Sequence, residues 1–238
     1  MKKIITTVAL SLFAASFCIA QDNVTVKMNV KVEGLPPEYA GFGEQEIVNY
    51  IKGDKHKSEM SSMMGSNITV FDGKKLTALN EQMGNKSGYT ATKEEIEADN
   101  KSKEKDPKPK VEYTTEKKTI AGYECTKAII TSVGKDKKES KMTVWVTDKI
   151  KTPETGKSGK SRGGMMDLGD LKGYPLEMEM SQSQQGMDMK ILVTTSEVST
   201  ANIDDSIFNV STEGYKMRSY AEQKAEMKKM EAEAKGGK

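Results

Sequence analysis

Strict alternation of apolar and polar residues is the feature that most restricts how this chain can fold. Within residues 24–33, every second position is apolar (Val24, Val26, Met28, Val30 and Val32), and the positions between are polar or charged. A period of two puts neighbouring side chains on opposite faces of a β-strand. This stretch therefore predicts a long strand with one buried face.

Turn signals join further strand patterns into hairpins. Residues 46–60 predict a hairpin around Gly53-Asp54, and residues 67–80 predict another around Asp72-Gly73. Strand patterns return within residues 119–150 and 174–198. The short connections predict a mainly β fold, with an antiparallel sheet of about seven to nine strands. Since only 6% of the residues are aromatic, we expect a thin core on one face of a single sheet.

Three segments are predicted to lie outside these strands. Residues 92–118 are dense in charge and predict a solvated insertion with a brief helix near residues 94–100, while residues 153–173 predict a loop rich in Gly, Ser and Lys. Ser219 and Glu222 predict a capping box for a C-terminal helix over residues 220–234. We therefore expect a β-rich domain over residues 21–218 and a charged helix or tail over residues 219–238.

The first twenty residues have the pattern of a secretory signal peptide. Lys2 and Lys3 precede an apolar stretch over residues 4–17, and Cys18-Ile19-Ala20 forms a small-x-small cleavage site. We expect a signal-peptide helix that is cleaved after Ala20, and a periplasmic or secreted mature protein. No later stretch has the length and apolarity of a membrane span, so no transmembrane segment is expected after cleavage.

Charge and cysteine content exclude several classes of partner and site. Without residues 1–20 the chain keeps 35 basic and 35 acidic side chains, because Lys2 and Lys3 are removed and no acid is lost. A net charge near zero argues against a nucleic-acid partner. Cys125 is then the single cysteine, so no internal disulfide can form.

No residue pattern predicts catalysis or a resident cofactor. The GKSGKS sequence at residues 156–161 lacks the glycine that a phosphate loop needs, since Glu154 occupies that position. His56 is the only histidine and predicts an exposed hairpin residue, and Cys125 predicts a buried strand residue without a base. The Asp204-Asp205 pair predicts a solvated surface. The sequence therefore favours a protein that is not an enzyme and holds no cofactor.

Methionine is unusually frequent, with fifteen in the mature chain once Met1 of the sixteen is removed. Met178, Met180, Met187 and Met189 form two M-x-M pairs whose thioethers suit Cu(I) or Ag(I), as does the cluster of Met60, Met63 and Met64. The parity of the M-x-M pairs favours a different interpretation. Leu176 precedes the first pair at the same parity, and Ile191 and Val193 follow the second. An apolar strand face is therefore favoured over metal capture.

Several blocks of the chain resemble, in order, a family of exported bacterial proteins of unknown function, DUF4412. The blocks are YIKGDKHKSEM, IAGYECTKAI, VWVTD, GYPLEMEM and SIFNVSTEGY. The family is similar in pattern to the outer-membrane lipoprotein carriers with the LolA/LppX-like fold. The resemblance implies an unclosed, curved half-barrel with a helix against its concave side, holding an acyl chain or another hydrophobic molecule.

Three functions are compatible with these patterns. The favoured hypothesis is a binding protein for a lipid or a lipoprotein acyl chain. The alternatives are Cu(I) or Ag(I) binding by the two M-x-M pairs, and an envelope protein partner bound through the stripe of Tyr220, Met227, Met230 and Ala234. The candidate lining residues for a hydrophobic ligand are Val26, Met28, Val30, Val144, Val146, Met178, Met180, Met187, Met189 and Ile191.

Overall fold

The fold was obtained as a computed structural model that describes residues 21–103, 108–133, 139–153, 168–184 and 187–236. The predicted signal peptide and the GKSGKS sequence lie outside the described residues. The strands are β1 (Asn23–Glu33), β2 (Glu44–Lys52), β3 (Lys55–Ser62), β4 (Gly65–Phe71), β5 (Lys75–Gln82), β6 (Asn85–Thr92), β7 (Lys110–Ile120), β8 (Tyr123–Val133), β9 (Glu139–Thr147), β10 (Tyr174–Gln184), β11 (Met187–Ser199) and β12 (Lys216–Ser219). The α-helices are α1 (Lys93–Lys103) and α2 (Tyr220–Gly236), and short 3-10 helices span Pro37–Gly43 and Asp205–Phe208.

All twelve strands belong to one curved, open sheet in the order β12-β6-β5-β4-β3-β2-β1-β11-β10-β9-β8-β7. Two antiparallel meanders, β1 to β6 and β7 to β11, meet where β1 pairs with β11. The first strand of the chain therefore lies in the middle of the sheet. The prediction of a mainly β fold with a single curved, open sheet is confirmed, and the predicted count of seven to nine strands is wrong.

The additional strands occur where the apolar alternation is weak. β6 follows β5 through the Met83-Gly84 turn, and β7 forms one edge of the sheet within the segment that we predicted as a solvated insertion. Only the predicted helix in that segment is confirmed, as α1. The short β12 pairs with β6 in parallel, which departs from the predicted antiparallel sheet.

The two faces of the sheet follow from the strand register. We call the side that carries Val26, Met28 and Val30 the Val26 face, and the side that carries Lys27 the Lys27 face. Paired residues in neighbouring strands project to the same face, so the register extends this assignment across the sheet. The largest buried cluster is centred on β1 and includes Leu176 and Val193.

Chain segments cover parts of both faces. Residues 200–215 cross the Lys27 face between β11 and β12, where Ile203 and Phe208 pack with Val70 of β4. On the Val26 face, Ile96 of α1 and Tyr220 of α2 pack over β4 to β6. Leu168 packs over β8 to β10 on the same face. The Val26 face of β1 and β11 lies between these two covered regions.

The predicted C-terminal helix and its capping box are confirmed. The backbone N–H of Glu222 donates to Oγ of Ser219 at 3.3 Å, and the backbone N–H of Ser219 donates to Oε2 of Glu222 at 2.8 Å. Helix α2 contacts the sheet at β6 and β12, its edge, where the resemblance implied a helix across the curved face. None of the described helices combines the length and apolar character needed to cross a membrane.

Candidate ligand-binding face

An unbroken row of apolar side chains crosses five strands on the Val26 face. Val30 of β1 is opposite Val193 of β11, which is opposite Met178 of β10. Met178 is opposite Val144 of β9, and Val144 is opposite Ala128 of β8. We call this set the Val30 row. Directly opposed residues in neighbouring strands are in side-chain contact distance, so the row forms a continuous apolar surface.

A second apolar row runs beside the first. Val32 is opposite Ile191, Ile191 is opposite Met180, and Met180 is opposite Met142, which continues to Ile130 of β8. The two rows together cover the Val26 face from β1 to β8. Each strand contributes two residues of like polarity separated by one residue, because successive side chains alternate between the faces.

The predicted lining residues share one face but differ in exposure. Val26, Met28, Val30, Val144 and Val146 are buried, whereas Met178, Met180, Met189 and Ile191 are half-buried. Met187 is opposite Gln184 in the register, and its side chain lies outside the described residues. The valines therefore form a floor, and the half-buried methionines and isoleucine are the part that a ligand can reach.

The two M-x-M pairs do not oppose each other across the hairpin. Met189 is opposite Gln182 and Met187 is opposite Gln184, so Met180 and Met189 are diagonal neighbours. Sulfur capture of a soft metal by these pairs stays a prediction. Within the described ranges, no cluster of three His, Cys, Asp or Glu side chains could hold a metal ion.

The β2 side of the Val26 face carries amide side chains that sequence analysis did not single out. Gln45 is opposite Val30, and Asn49 is opposite Val26. Nδ2 of Asn49 donates to the sulfur of Met28 at 3.8 Å, and Oε1 of Gln45 is buried with no hydrogen-bond partner among the described residues. Gln45 and Asn49 lie two positions before and after Ile47 in β2. This spacing is the sequence signal that could have predicted both amides on the same face as Ile47.

The two ends of the sheet differ. At one end Gln21, just before β1, pairs with Ile150, just after β9, although β11 and β10 separate those strands. At the other end lies a cavity of about 330 Å³ lined by Glu33, Gly34, Ser181, Gln182, Asp188, Met189 and Lys190. Glu33, Ser181, Asp188 and Lys190 have the parity of the Lys27 face, whereas Gln182 and Met189 have the parity of the Val26 face. The cavity therefore lies at the end of the strands and is lined from both faces.

Exposed methionines cluster at the same end. Met63 and Met83 are 78% and 81% exposed, at the tips of two adjacent hairpins. The backbone N–H of Met83 donates to the carbonyl oxygen of Met64 at 3.1 Å, which joins the two tips. Sequence analysis grouped Met63 and Met64 with Met60 but missed Met83, because the hairpin of β5 and β6 was not predicted.

The side chains that were considered for catalysis belong to three parts of the fold: Cys125 to β8, His56 to β3, and Asp204-Asp205 to the segment after β11. Cys125 is fully buried, as predicted, and burial raises the pKa of its thiol to about 11. His56 is half-buried and stacks on Phe71 with ring centroids 5.8 Å apart, so its predicted exposure is wrong. Asp204 and Asp205 are exposed, as predicted, and Asp205 is 3.1 Å from Nζ of Lys55.

Comparisons with known proteins give a family and several distant structural likenesses. A family model described as "Domain of unknown function (DUF4412)" matches residues 38–215. No curated protein matches the sequence. The range of the family model begins after β1 and ends before β12, so these two strands and α2 lie outside it.

Among solved structures, the chain is similar to PNGF-II at 17% identity and a TM-score of 0.48, covering 86% of this chain and 33% of that chain. It therefore spans about a third of the length of PNGF-II. An uncharacterised conserved protein from Thermus thermophilus is similar at 10% identity and a TM-score of 0.45, with coverage of 83% and 91%. The lipoprotein LppX of Mycobacterium tuberculosis is similar at 10% identity and a TM-score of 0.36, with coverage of 76% and 88%.

Proposed function

This chain belongs to the DUF4412 family, whose members are defined by a domain of unknown function, and we propose that it binds a hydrophobic ligand on the Val26 face of its sheet. The ligand is a lipid or a lipoprotein acyl chain. The protein is exported to the periplasm or beyond and is not an enzyme. These last features rest on the pattern of residues 1–20 and on the lack of a catalytic pattern in the sequence.

The Val30 row is the observation that carries this proposal. A hydrophobic molecule there would cover the apolar surface that Met178, Met180 and Ile191 still expose above the buried valines, and burial of apolar surface contributes about 25 cal/mol per Å². Methionine is unbranched and polarizable, so Met178 and Met180 can adjust to acyl chains of different shape.

A binding titration with a fluorescent acyl probe tests the proposal, together with native mass spectrometry of protein expressed with its leader. The double variant Met178→Gln/Met180→Gln places two amides on the Val26 face at nearly constant side-chain length. We expect at least a tenfold weaker affinity for the probe, since each apolar side chain contributes about 1.5 kcal/mol or more when buried.

The matched control is Glu177→Gln/Glu179→Gln on the same strand. These residues alternate with the two methionines and project to the Lys27 face, where Glu177 pairs with Lys118 and Glu179 pairs with Lys190. We expect the control to bind the probe as the unmodified protein does. Equal loss in both variants, or no probe uptake by the unmodified protein, contradicts the proposal.

A further inference from the structure

The Val30 row continues into a buried polar atom. Gln45 of β2 is the residue opposite Val30, on the side away from Val193, and no described residue hydrogen-bonds to its buried Oε1. A buried acceptor without a donor is destabilising, and nearly all such groups in folded proteins are paired. Gln45 thus places an unused acceptor at the end of an apolar row.

No charged side chain of the described strands lies near this position on the Val26 face. Across β2 and β3 the neighbours of Gln45 on that face are Ile47, Ser62 and Met60, and β1 contributes Met28 and Val32. The ion pair of Lys31 with Glu33 belongs to the Lys27 face, because both residues have the parity of Lys27. A carboxylate placed beside Gln45 would therefore lose its hydration without gaining a cation from the described strands.

We infer that the ligand has an uncharged headgroup whose hydroxyl or amide N–H donates to Oε1 of Gln45. Its acyl chain lies over the half-buried Ile191, Met178 and Met180, since the members of the Val30 row other than Met178 are already buried. From Ala128 of β8 to Gln45 of β2 the row crosses five interstrand spacings of about 4.8 Å each. This inference rests on the proposed function, and it names the class of ligand and the residue that recognises the headgroup.

Competition between two lipids of equal chain length tests the inference. 1-Palmitoylglycerol offers hydroxyl donors and no charge, whereas palmitate offers a carboxylate. Each is used to displace the fluorescent acyl probe from the unmodified protein. We expect 1-palmitoylglycerol to bind at least tenfold more tightly than palmitate, because one additional hydrogen bond in a buried site corresponds to about that factor.

Gln45→Leu is expected to weaken 1-palmitoylglycerol binding about tenfold and to leave palmitate binding unchanged. Gln45→Met, which is closer to glutamine in shape, is the second variant and is expected to behave in the same way. Both should unfold at a urea concentration no lower than the unmodified protein, since they remove an unpaired buried acceptor. The matched control is Gln82→Leu, an exposed glutamine in the same row on β5.

The outcomes separate this inference from the function on which it rests. If the probe does not bind at all, the proposed function fails and the inference fails with it. If the probe and both lipids bind, two results overturn the headgroup assignment. One is that palmitate competes as well as 1-palmitoylglycerol. The other is that the Gln45 variants keep the preference of the unmodified protein for 1-palmitoylglycerol. The hydrophobic binding face then stands.

Discussion

The hydroxyl of Tyr220 donates a hydrogen bond of 3.0 Å to Oδ2 of Asp99, which joins α2 to α1 above the edge of the sheet. The side chain of Asp99 is 5% exposed, and Nζ of Lys224 lies 2.5 Å from its Oδ1. Burial and the hydrogen bond to Asp99 raise the pKa of Tyr220. The start of α2 is therefore fixed to α1 by the buried Asp99 carboxylate, which binds both Tyr220 and Lys224.

Tyr220→Phe is expected to lower the free energy of unfolding by about 1.5 kcal/mol, because it removes a hydrogen bond to a buried charged group. The ring stays in place against Tyr89, whose ring centroid is 6.0 Å away. Urea unfolding measures the loss, and amide hydrogen exchange should show faster exchange in α2. Tyr215→Phe is the control, since its ring remains over Lys86, and an equal loss in that variant would contradict the role of Asp99.

The Cys125 thiol is expected to be unreactive in the folded protein. Its folded pKa of about 11 lies above the value of about 8.5 for an unfolded chain, because burial disfavours the thiolate. This group therefore favours the folded state below the unfolded pKa, and its contribution is lost as the pH rises towards the folded value. A thiol reagent at mildly alkaline pH should modify the protein without residues 1–20, which has Cys125 as its single cysteine, only in guanidinium. Equally fast modification without denaturant would show that Cys125 is accessible.

The close approach of Gly34 to Asp188 predicts that Gly34→Ala, which adds one methyl group, strongly lowers the free energy of unfolding. Gly34 has φ +85, and a Cβ at this position would overlap the carbonyl oxygen of Asp188 at the start of β11. Gly53 has φ +58 and no atom within 4 Å of such a Cβ. Gly53→Ala should cost about 1–2 kcal/mol for the left-handed backbone alone.

Gly34→Ala should cost clearly more than Gly53→Ala, since β11 must also move away from the end of β1. Urea unfolding of both variants measures the difference. Equal values would mean that the two strand ends are farther apart than the structure shows.

Strands with one apolar face could be predicted from the sequence, and strands without one could not. β1 has an apolar residue at every second position because the Val26 face is buried there. β7 lies at the edge of the sheet and has a single buried residue, Ile120, so its sequence shows no alternation. β6 has Ser87, Tyr89 and Ala91 on the Val26 face. Of these three, only Ala91 is an aliphatic residue, so the strand has no row of apolar residues that would predict it.

The candidate site was partly predictable for the same reason. Parity alone predicted that Met178 and Met180 share a face, and the register places Met178 opposite Val144 and Met180 opposite Met142. The position of β1 between β2 and β11 depends on contacts that are distant in sequence, so no local pattern indicates it. The position of Gln45 beside Val30 follows from that pairing, which is why the unpaired acceptor could be found only in the structure.

Val144→Thr tests the assignment of the two faces at the centre of the Val30 row. Val144 is fully buried, and its threonine replacement has the same shape with a hydroxyl in an apolar environment. The expected loss in free energy of unfolding is about 1–3 kcal/mol. The neighbouring Thr143 is half-buried and projects to the Lys27 face beside Glu179, so Thr143→Val should change the stability by less than about 0.5 kcal/mol. Urea unfolding of both variants gives the comparison, and a larger loss for Thr143→Val would mean that the faces are reversed and that the apolar rows do not line a ligand site.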